Sequence, residues 1–141
     1  MTQSRTPAQL YALVIGAVLV GAGIMGFFYN ASFATGGNVP RDAVLGLLDV
    51  NGWHNVVHLA TGALGLATFA SVVAARSYAL GLGAVYLVVT IGGFIVGDGG
   101  VLLNLIPINT EDTILHVLLA VMGLAAGVAS ANRGVVQSAR A

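Results

Sequence analysis

Four long apolar stretches alternate with shorter polar segments along the chain. They cover approximately residues 8–29, 53–75, 78–97 and 113–131. At about 1.5 Å of rise per residue, each stretch can cross a hydrocarbon layer of about 30 Å as an α-helix. The pattern therefore predicts an all-α integral membrane protein, in which one domain over residues 1–141 forms a bundle of four transmembrane helices.

The composition of the chain excludes several classes of protein. Hydrophobic residues make up 57% of the chain and charged residues 7%, whereas a soluble domain has about 25% charged residues. The formal net charge is zero and there are only five basic residues, so no basic surface is available for nucleic acid. The chain has no cysteine, which excludes disulfides, thiolate metal sites and iron–sulfur clusters. The metal ligands that remain are His, Asp, Glu and Asn.

The basic residues indicate the orientation in the membrane. Most of them lie on the side that both termini share: Arg5, Arg76, Arg133 and Arg140. Arg41 lies in a loop on the opposite side, together with the acidic residues of the chain. The positive-inside rule therefore places both termini in the cytoplasm. The lipid bilayer is the partner that the sequence implies most directly.

The two halves of the chain resemble one another. Tyr11-Ala12-Leu13 in the first stretch recurs at an offset of 67 as Tyr78-Ala79-Leu80 in the third. The second and fourth stretches match at an offset of 58, which aligns His58 with His116. Because each copy contains two helices, the copies have the same orientation in the membrane. The chain is therefore predicted to consist of two parallel two-helix repeats around a pseudo-twofold axis.

All three histidines fall in the first turns of the second and fourth predicted helices. His54 and His58 are four residues apart and share a helix face, as do Asp112 and His116. Two such faces, placed opposite each other, predict a cluster of four ligands near the external side. Imidazole and carboxylate ligands suit a transition metal such as zinc, copper, iron or nickel. Asp98, at the end of the third helix, is a candidate additional ligand.

Other residues in this region have structural explanations. Asn51 and Asn109 stand where helix N-caps are expected, and Asp112 would also suit the positive end of a helix. Small residues continue the histidine faces and predict close helix packing: Gly62, Gly65, Gly123 and Gly127. His58 and His116 lie one turn deeper, where a polar side chain needs a partner or a cavity. A ligand role and an interhelical hydrogen bond are both open for these two residues.

The histidine motifs resemble those of a known family. G-x-H-x-x-x-H begins at Gly52 and D-x-x-x-H begins at Asp112, and Ile106-Pro107 forms a turn before the last helix. This pattern resembles a bacterial family of four-span membrane proteins, domain of unknown function 4383, over nearly the whole chain. The resemblance implies the fold and a bacterial cytoplasmic membrane, but it implies no activity.

Three classes of function are consistent with the sequence. The first is binding of a transition metal, or, less favoured, of haem b between His58 and His116 as axial ligands. The second is a structural or accessory subunit, which assembles with another membrane protein or with copies of itself. The third is a conduit for protons or a small solute. The chain shows no nucleophile with a neighbouring base, so an enzyme is not expected.

Overall fold

The computed structural model describes residues 4–131, which are mostly helical. The four helices are α1 (Pro7–Tyr29), α2 (Gly52–Thr68), α3 (Val72–Val96) and α4 (Thr110–Ala129). Short antiparallel hairpins precede α2 and α4, formed by β1 (Asp42–Val44) with β2 (Leu48–Val50) and by β3 (Gly100–Leu102) with β4 (Ile106–Ile108). The part of the orientation argument that rests on Arg133 and Arg140 lies outside the described residues.

The helices α1, α3 and α4 are long and apolar enough to cross a membrane. The helix α2 has 17 residues, at the short end of the range of about 17–25 residues that transmembrane helices span. Large apolar side chains are exposed along the outside of the helices, including Phe28 on α1 at 85% and Ile95 on α3 at 79%. A surface of this kind is stable in lipid and unfavourable in water. The long apolar helices indicate a membrane protein.

The connection between α2 and α3 lies at residues 69–71. This is earlier in the chain than the sequence prediction, which places the connection at the charged residue Arg76. The hydroxyl of Ser71 accepts a hydrogen bond from the backbone N–H of Ala74 and caps the start of α3. Arg76 lies inside the first turns of α3 and donates through Nε to the carbonyl of Gly127, 3.0 Å away in the last turn of α4. A long basic side chain can satisfy the free carbonyls of a neighbouring helix end, so Arg76 does not need to lie in a loop.

Glycines bring α1 and α2 into backbone contact. A Cβ atom on Gly65 would lie 2.8 Å from the carbonyl oxygen of Ala12 and 2.6 Å from the hydroxyl of Tyr78. A Cβ atom on Gly62 would lie 2.7 Å from the carbonyl oxygen of Gly16. These distances leave no room for a side chain, so both positions require glycine for the observed helix separation.

The contact between α3 and α4 has the same form. A Cβ atom on Gly123 would lie 2.8 Å from the carbonyl oxygen of Ala79 and 2.8 Å from the hydroxyl of Tyr11. A Cβ atom on Gly127 would lie 2.5 Å from Cδ2 of Leu80. Small residues therefore line both helix pairs, and each pair also contacts a tyrosine of the other pair.

The two hairpins lie at the end of the molecule where α2 and α4 begin. Their turns contain consecutive residues of positive φ, Leu45 and Gly46 in the first and Leu103 and Asn104 in the second. Two central residues of positive φ match the twist of antiparallel strands in a tight hairpin. The hairpins cover the helix starts that carry the histidines.

Candidate metal centre

The N-caps of α2 and α4 hold the two hairpins against the helix starts. Asn51 accepts through Oδ1 from a backbone N–H in the first turn of α2 and donates through Nδ2 to the carbonyl of Leu105 at 2.6 Å. Asn109 accepts in the same way in α4 and donates to the carbonyl of Leu47 at 2.7 Å. Each cap therefore joins its own helix to the hairpin of the other half. This crossed arrangement fixes α2 and α4 relative to each other.

Three histidines converge directly below the hairpins. His54, His58 and His116 each offer a ring nitrogen, and these nitrogens lie within 4.8 Å of one another. The ring centroid of His54 is 4.4 Å from that of His58 and 6.2 Å from that of His116. Ligand nitrogens on one tetrahedral ion, each about 2.0–2.1 Å from the metal, would be about 3.3 Å apart. Small side-chain rotations would therefore bring all three nitrogens onto a single ion.

The hydrogen bonds of the three rings leave nitrogens available. Nδ1 of His54 lies 2.9 Å from the carbonyl oxygen of Asp49, so Nδ1 is the donor and Nε2 keeps its lone pair. A backbone carbonyl in this position is a common support for a histidine that binds a metal. Within residues 4–131, Nδ1 of His58 and Nδ1 of His116 are buried and have no hydrogen-bond partner. Buried polar atoms without a partner are costly, and a bound ion or ligand would satisfy them.

Asp112, the fourth predicted ligand, lies beside the cluster with its carboxylate bound to backbone. Its Oδ2 accepts from the backbone N–H of Asp49 at 3.0 Å and from that of Asn109 at 3.3 Å. Asp112 is not one of the residues whose ligand atoms converge. The structure therefore brings together three of the four predicted ligands. Asp112 reaches the cluster indirectly, since the carbonyl of Asp49 is the acceptor for His54.

Two other acidic residues near the starts of α2 and α4 have contacts outside the histidine cluster. Asp98 accepts through Oδ1 from the backbone N–H and the hydroxyl of Thr110, at 3.0 and 3.2 Å, at the start of α4. The carboxylate of Asp49 lies 3.7 Å from Nη1 of Arg41. Burial raises the pKa of the Asp49 carboxyl above its ordinary value, and the charge of Arg41 acts in the opposite direction. Asp98 and the Asp49 carboxylate are thus bound to other groups, and neither is among the residues whose ligand atoms converge.

A cavity of about 210 Å³ opens beside the three histidines, between α2 and α3. Its walls are mainly aliphatic side chains of α2, α3 and the second hairpin, among them Val57, Leu82, Val85, Val89, Leu102 and Ile106. The three histidines border the cavity together with Tyr86, whose ring centroid lies 5.0 Å from that of His116. Sequence reasoning missed both the cavity and Tyr86, because an apolar helix face gives no signal that distinguishes a cavity from lipid contact.

A protein-family model matches residues 9–129 of the chain, a range that includes all three histidines. The chain belongs to the family described as domain of unknown function DUF4383. This result confirms the resemblance that the histidine motifs carry. Comparisons with curated proteins and with solved structures gave no match. For this DUF4383 member, the geometry of the histidine cluster is therefore the principal guide to function.

Proposed function

We propose that this DUF4383 protein is a small integral membrane protein that binds one divalent transition-metal ion through His54, His58 and His116. The observation that carries the proposal is the convergence of three ring nitrogens within 4.8 Å. Neutral imidazole is a good ligand for zinc, copper, iron and nickel. Three protein ligands leave a coordination position for water or another small ligand, as in zinc sites that are open to solvent or substrate.

The same geometry favours a single ion over haem b. A haem held between His58 and His116 would need a flat macrocycle separating the two imidazoles. The ring of His54 lies close to both, with centroid distances of 4.4 Å and 6.2 Å. Tyr86 packs on the ring of His116. Insertion of a macrocycle would therefore require these four rings to rearrange.

We further propose that α2 crosses the membrane with the other three helices, so that one domain forms two parallel two-helix repeats. A helix of 17 residues is about 25 Å long. The glycine contacts support the repeat: Gly65 faces Ala12, and Gly123 faces Ala79. The offset of 58 relates Gly65 to Gly123, and the offset of 67 relates Ala12 to Ala79. The crossed hydrogen bonds of Asn51 and Asn109 have the same relationship.

In the proposed orientation, both termini lie in the cytoplasm of a bacterium and the histidines lie near the external side. Arg5 packs over the ring of Phe69, with its Cζ atom 5.0 Å from the ring centroid, near the end of α2. Arg76 binds the carbonyl of Gly127 near the end of α4. Both arginines are therefore at the end of the bundle opposite the hairpins, and the positive-inside rule supports a cytoplasmic location for that end.

A second candidate function is an accessory subunit in which the polar residues only lock the bundle. The crossed caps of Asn51 and Asn109 favour this alternative, because they join the two halves without any ligand. The Asp112 carboxylate likewise bonds only to backbone groups in the described residues. A partner membrane protein or a second copy of the chain would then contact the exposed apolar surface.

Metal analysis of the purified protein separates the two candidates. After treatment with a chelator, the protein in detergent is titrated with Zn²⁺ against a competing chelator of known affinity. We expect one ion per chain, and we expect His58→Ala and His116→Ala to abolish binding. Glu111→Gln is the control, since Glu111 is an exposed acid in the first turn of the same helix as His116.

The two histidine variants and the Glu111→Gln control must all elute as folded protein and retain the helical circular dichroism of the wild type. Binding that is unchanged in both histidine variants would refute the proposed ligands. A folded wild-type protein that binds no ion would refute the metal proposal and favour the accessory subunit.

A further inference from the structure

We propose that the cavity between α2 and α3 binds an uncharged lipophilic molecule with a single phenolic or quinol-like hydroxyl, which enters from the lipid and places that hydroxyl at the histidines. The proposal goes beyond metal binding, because it concerns the apolar cavity that the three histidines only border. It names the chemical class of the ligand that would contact the histidine cluster. Three properties of the cavity carry the inference: its size, the chemistry of its walls and the position of its opening.

The size of the cavity suits one substituted ring. Its volume is about 210 Å³, whereas an engineered apolar cavity of about 150 Å³ in another protein holds benzene. A six-membered ring with a few substituents therefore fits, and an attached alkyl chain can leave through the opening. A large polycyclic cofactor does not fit without movement of α2 or α3.

The walls of the cavity select an uncharged molecule with one polar end. The cavity-lining residues within the described chain include no Asp, Glu, Lys or Arg, so a charged ligand would lose its hydration without gaining a counter-ion. The hydroxyl of Thr61 is already bonded to the carbonyl of Val57 at 2.7 Å. Apart from Thr61, the polar side chains of residues 4–131 that line the cavity are the three histidines and Tyr86, which packs on the ring of His116. This group therefore forms the end at which a ligand hydroxyl can make a hydrogen bond.

The opening of the cavity lies among apolar side chains on the outside of the bundle. Val57 on α2 is 43% exposed, and Val85 and Val88 on α3 are 54% and 68% exposed. All three line the cavity. On helices of a membrane protein, such exposed aliphatic side chains face lipid acyl chains. A ligand that is dissolved in the bilayer can therefore reach the histidines without crossing the aqueous surface.

Photolabelling of the chelator-treated protein in phosphatidylcholine nanodiscs tests the proposal. The probe is 4-hydroxybenzophenone, and mass spectrometry of the peptides locates its adducts. We expect adducts on the cavity-lining residues of α2 and α3. Excess 4-nonylphenol should reduce this labelling about five-fold more effectively than nonylbenzene, which has the same ring and chain without the hydroxyl, as expected for one hydrogen bond.

Two neighbouring valines supply a matched pair of variants. Val56 and Val57 of α2 are 42% and 43% exposed, but only Val57 is among the residues that line the cavity. Val57→Trp should abolish cavity labelling, and Val56→Trp should leave it unchanged. His116→Phe keeps an aromatic ring and removes one of the three imidazoles, so the advantage of 4-nonylphenol over nonylbenzene should then decrease. This variant gives an independent test if Val57→Trp does not fold.

Several outcomes would overturn the proposal. Adducts spread over α1 and α4 would show that the probe samples the general lipid surface. Equal competition by 4-nonylphenol and nonylbenzene against the wild type would show that the cavity holds acyl chains only. Zn²⁺ binding is measured separately on the same preparation, so failure of the lipophile site is distinguishable from failure of the metal site.

Discussion

Alanine at Gly65 or Gly123 directly perturbs the packing that holds the histidine-bearing helices in place. The added Cβ atom at Gly65 would lie 2.8 Å from the carbonyl oxygen of Ala12, and that at Gly123 would lie 2.8 Å from the carbonyl oxygen of Ala79. Carbon–oxygen contacts between packed backbones are normally about 3.3–3.6 Å. The helices must therefore separate by about 0.5 Å or more at each of these positions to accept one methyl group.

The size of the effect follows from two opposing contributions. Overpacking of a well-packed contact costs about 1–3 kcal/mol. Replacement of glycine by alanine inside a helix contributes about 0.8–1.0 kcal/mol in the opposite direction. Gly81 on α3 is the matched control, because an added Cβ there has nothing within 4 Å among the described residues. The difference in unfolding free energy between Gly65→Ala and Gly81→Ala should therefore equal the packing cost of about 1–3 kcal/mol.

Unfolding of the protein in mixed micelles, followed by circular dichroism as the fraction of denaturing detergent rises, measures this difference. Gly65→Ala and Gly123→Ala should each unfold at a lower fraction than Gly81→Ala. Equal midpoints for the three variants would refute the close contact at the glycines. A loss of stability in Gly81→Ala as large as that in Gly65→Ala would refute the reasoning as well.

Three further predictions concern topology, metal affinity and capping. A cysteine at Ser32 should react with a membrane-impermeant reagent on intact cells, whereas a cysteine at Ser138 should react only after permeabilisation; labelling of Ser138 from outside would contradict the orientation. Zn²⁺ affinity should fall as the pH is lowered, because protonated imidazole cannot bind a metal, and an affinity that stays constant down to the pH at which the protein unfolds would exclude histidine ligands. Asn51→Ala should cost more than the typical 1 kcal/mol of a lost cap, since the carbonyl of Leu105 also loses its donor. Ser71→Ala is the control, an exposed cap, and equal losses in the two variants would argue against the crossed bond.

The main features of the site follow from short-range spacing that a sequence displays directly. His54 and His58 share a face because they are four residues apart. His116 lies at the same depth in α4 as His58 in α2, since each is the seventh residue of its helix. Apolar periodicity and small residues then indicate which face packs inward. The convergence of the three rings was therefore within reach of sequence reasoning.

The two hairpins could not be predicted in the same way. Leu45 and Leu103 occupy positive φ, a conformation that leucine rarely adopts and that turn signals based on glycine or asparagine do not anticipate. Residues of this kind look like ordinary apolar loop positions in the sequence. The side chains of the N-caps fix the hairpins through hydrogen bonds to residues far away in the same chain. Such long-range contacts have no local signature in the sequence.

Asp112 is a predicted fourth ligand but does not converge with the histidines. The cause lies in its hydrogen bonds to the surrounding backbone. If Oδ2 of Asp112 turned toward a metal, the backbone N–H groups of Asp49 and Asn109 would lose their acceptor, at a cost of about 1–3 kcal/mol for the buried N–H of Asp49. His54, the residue that aligns with Asp112 at an offset of 58, instead donates to the carbonyl of Asp49. The two equivalent positions therefore hold opposite sides of one residue, Asp112 at its N–H and His54 at its carbonyl.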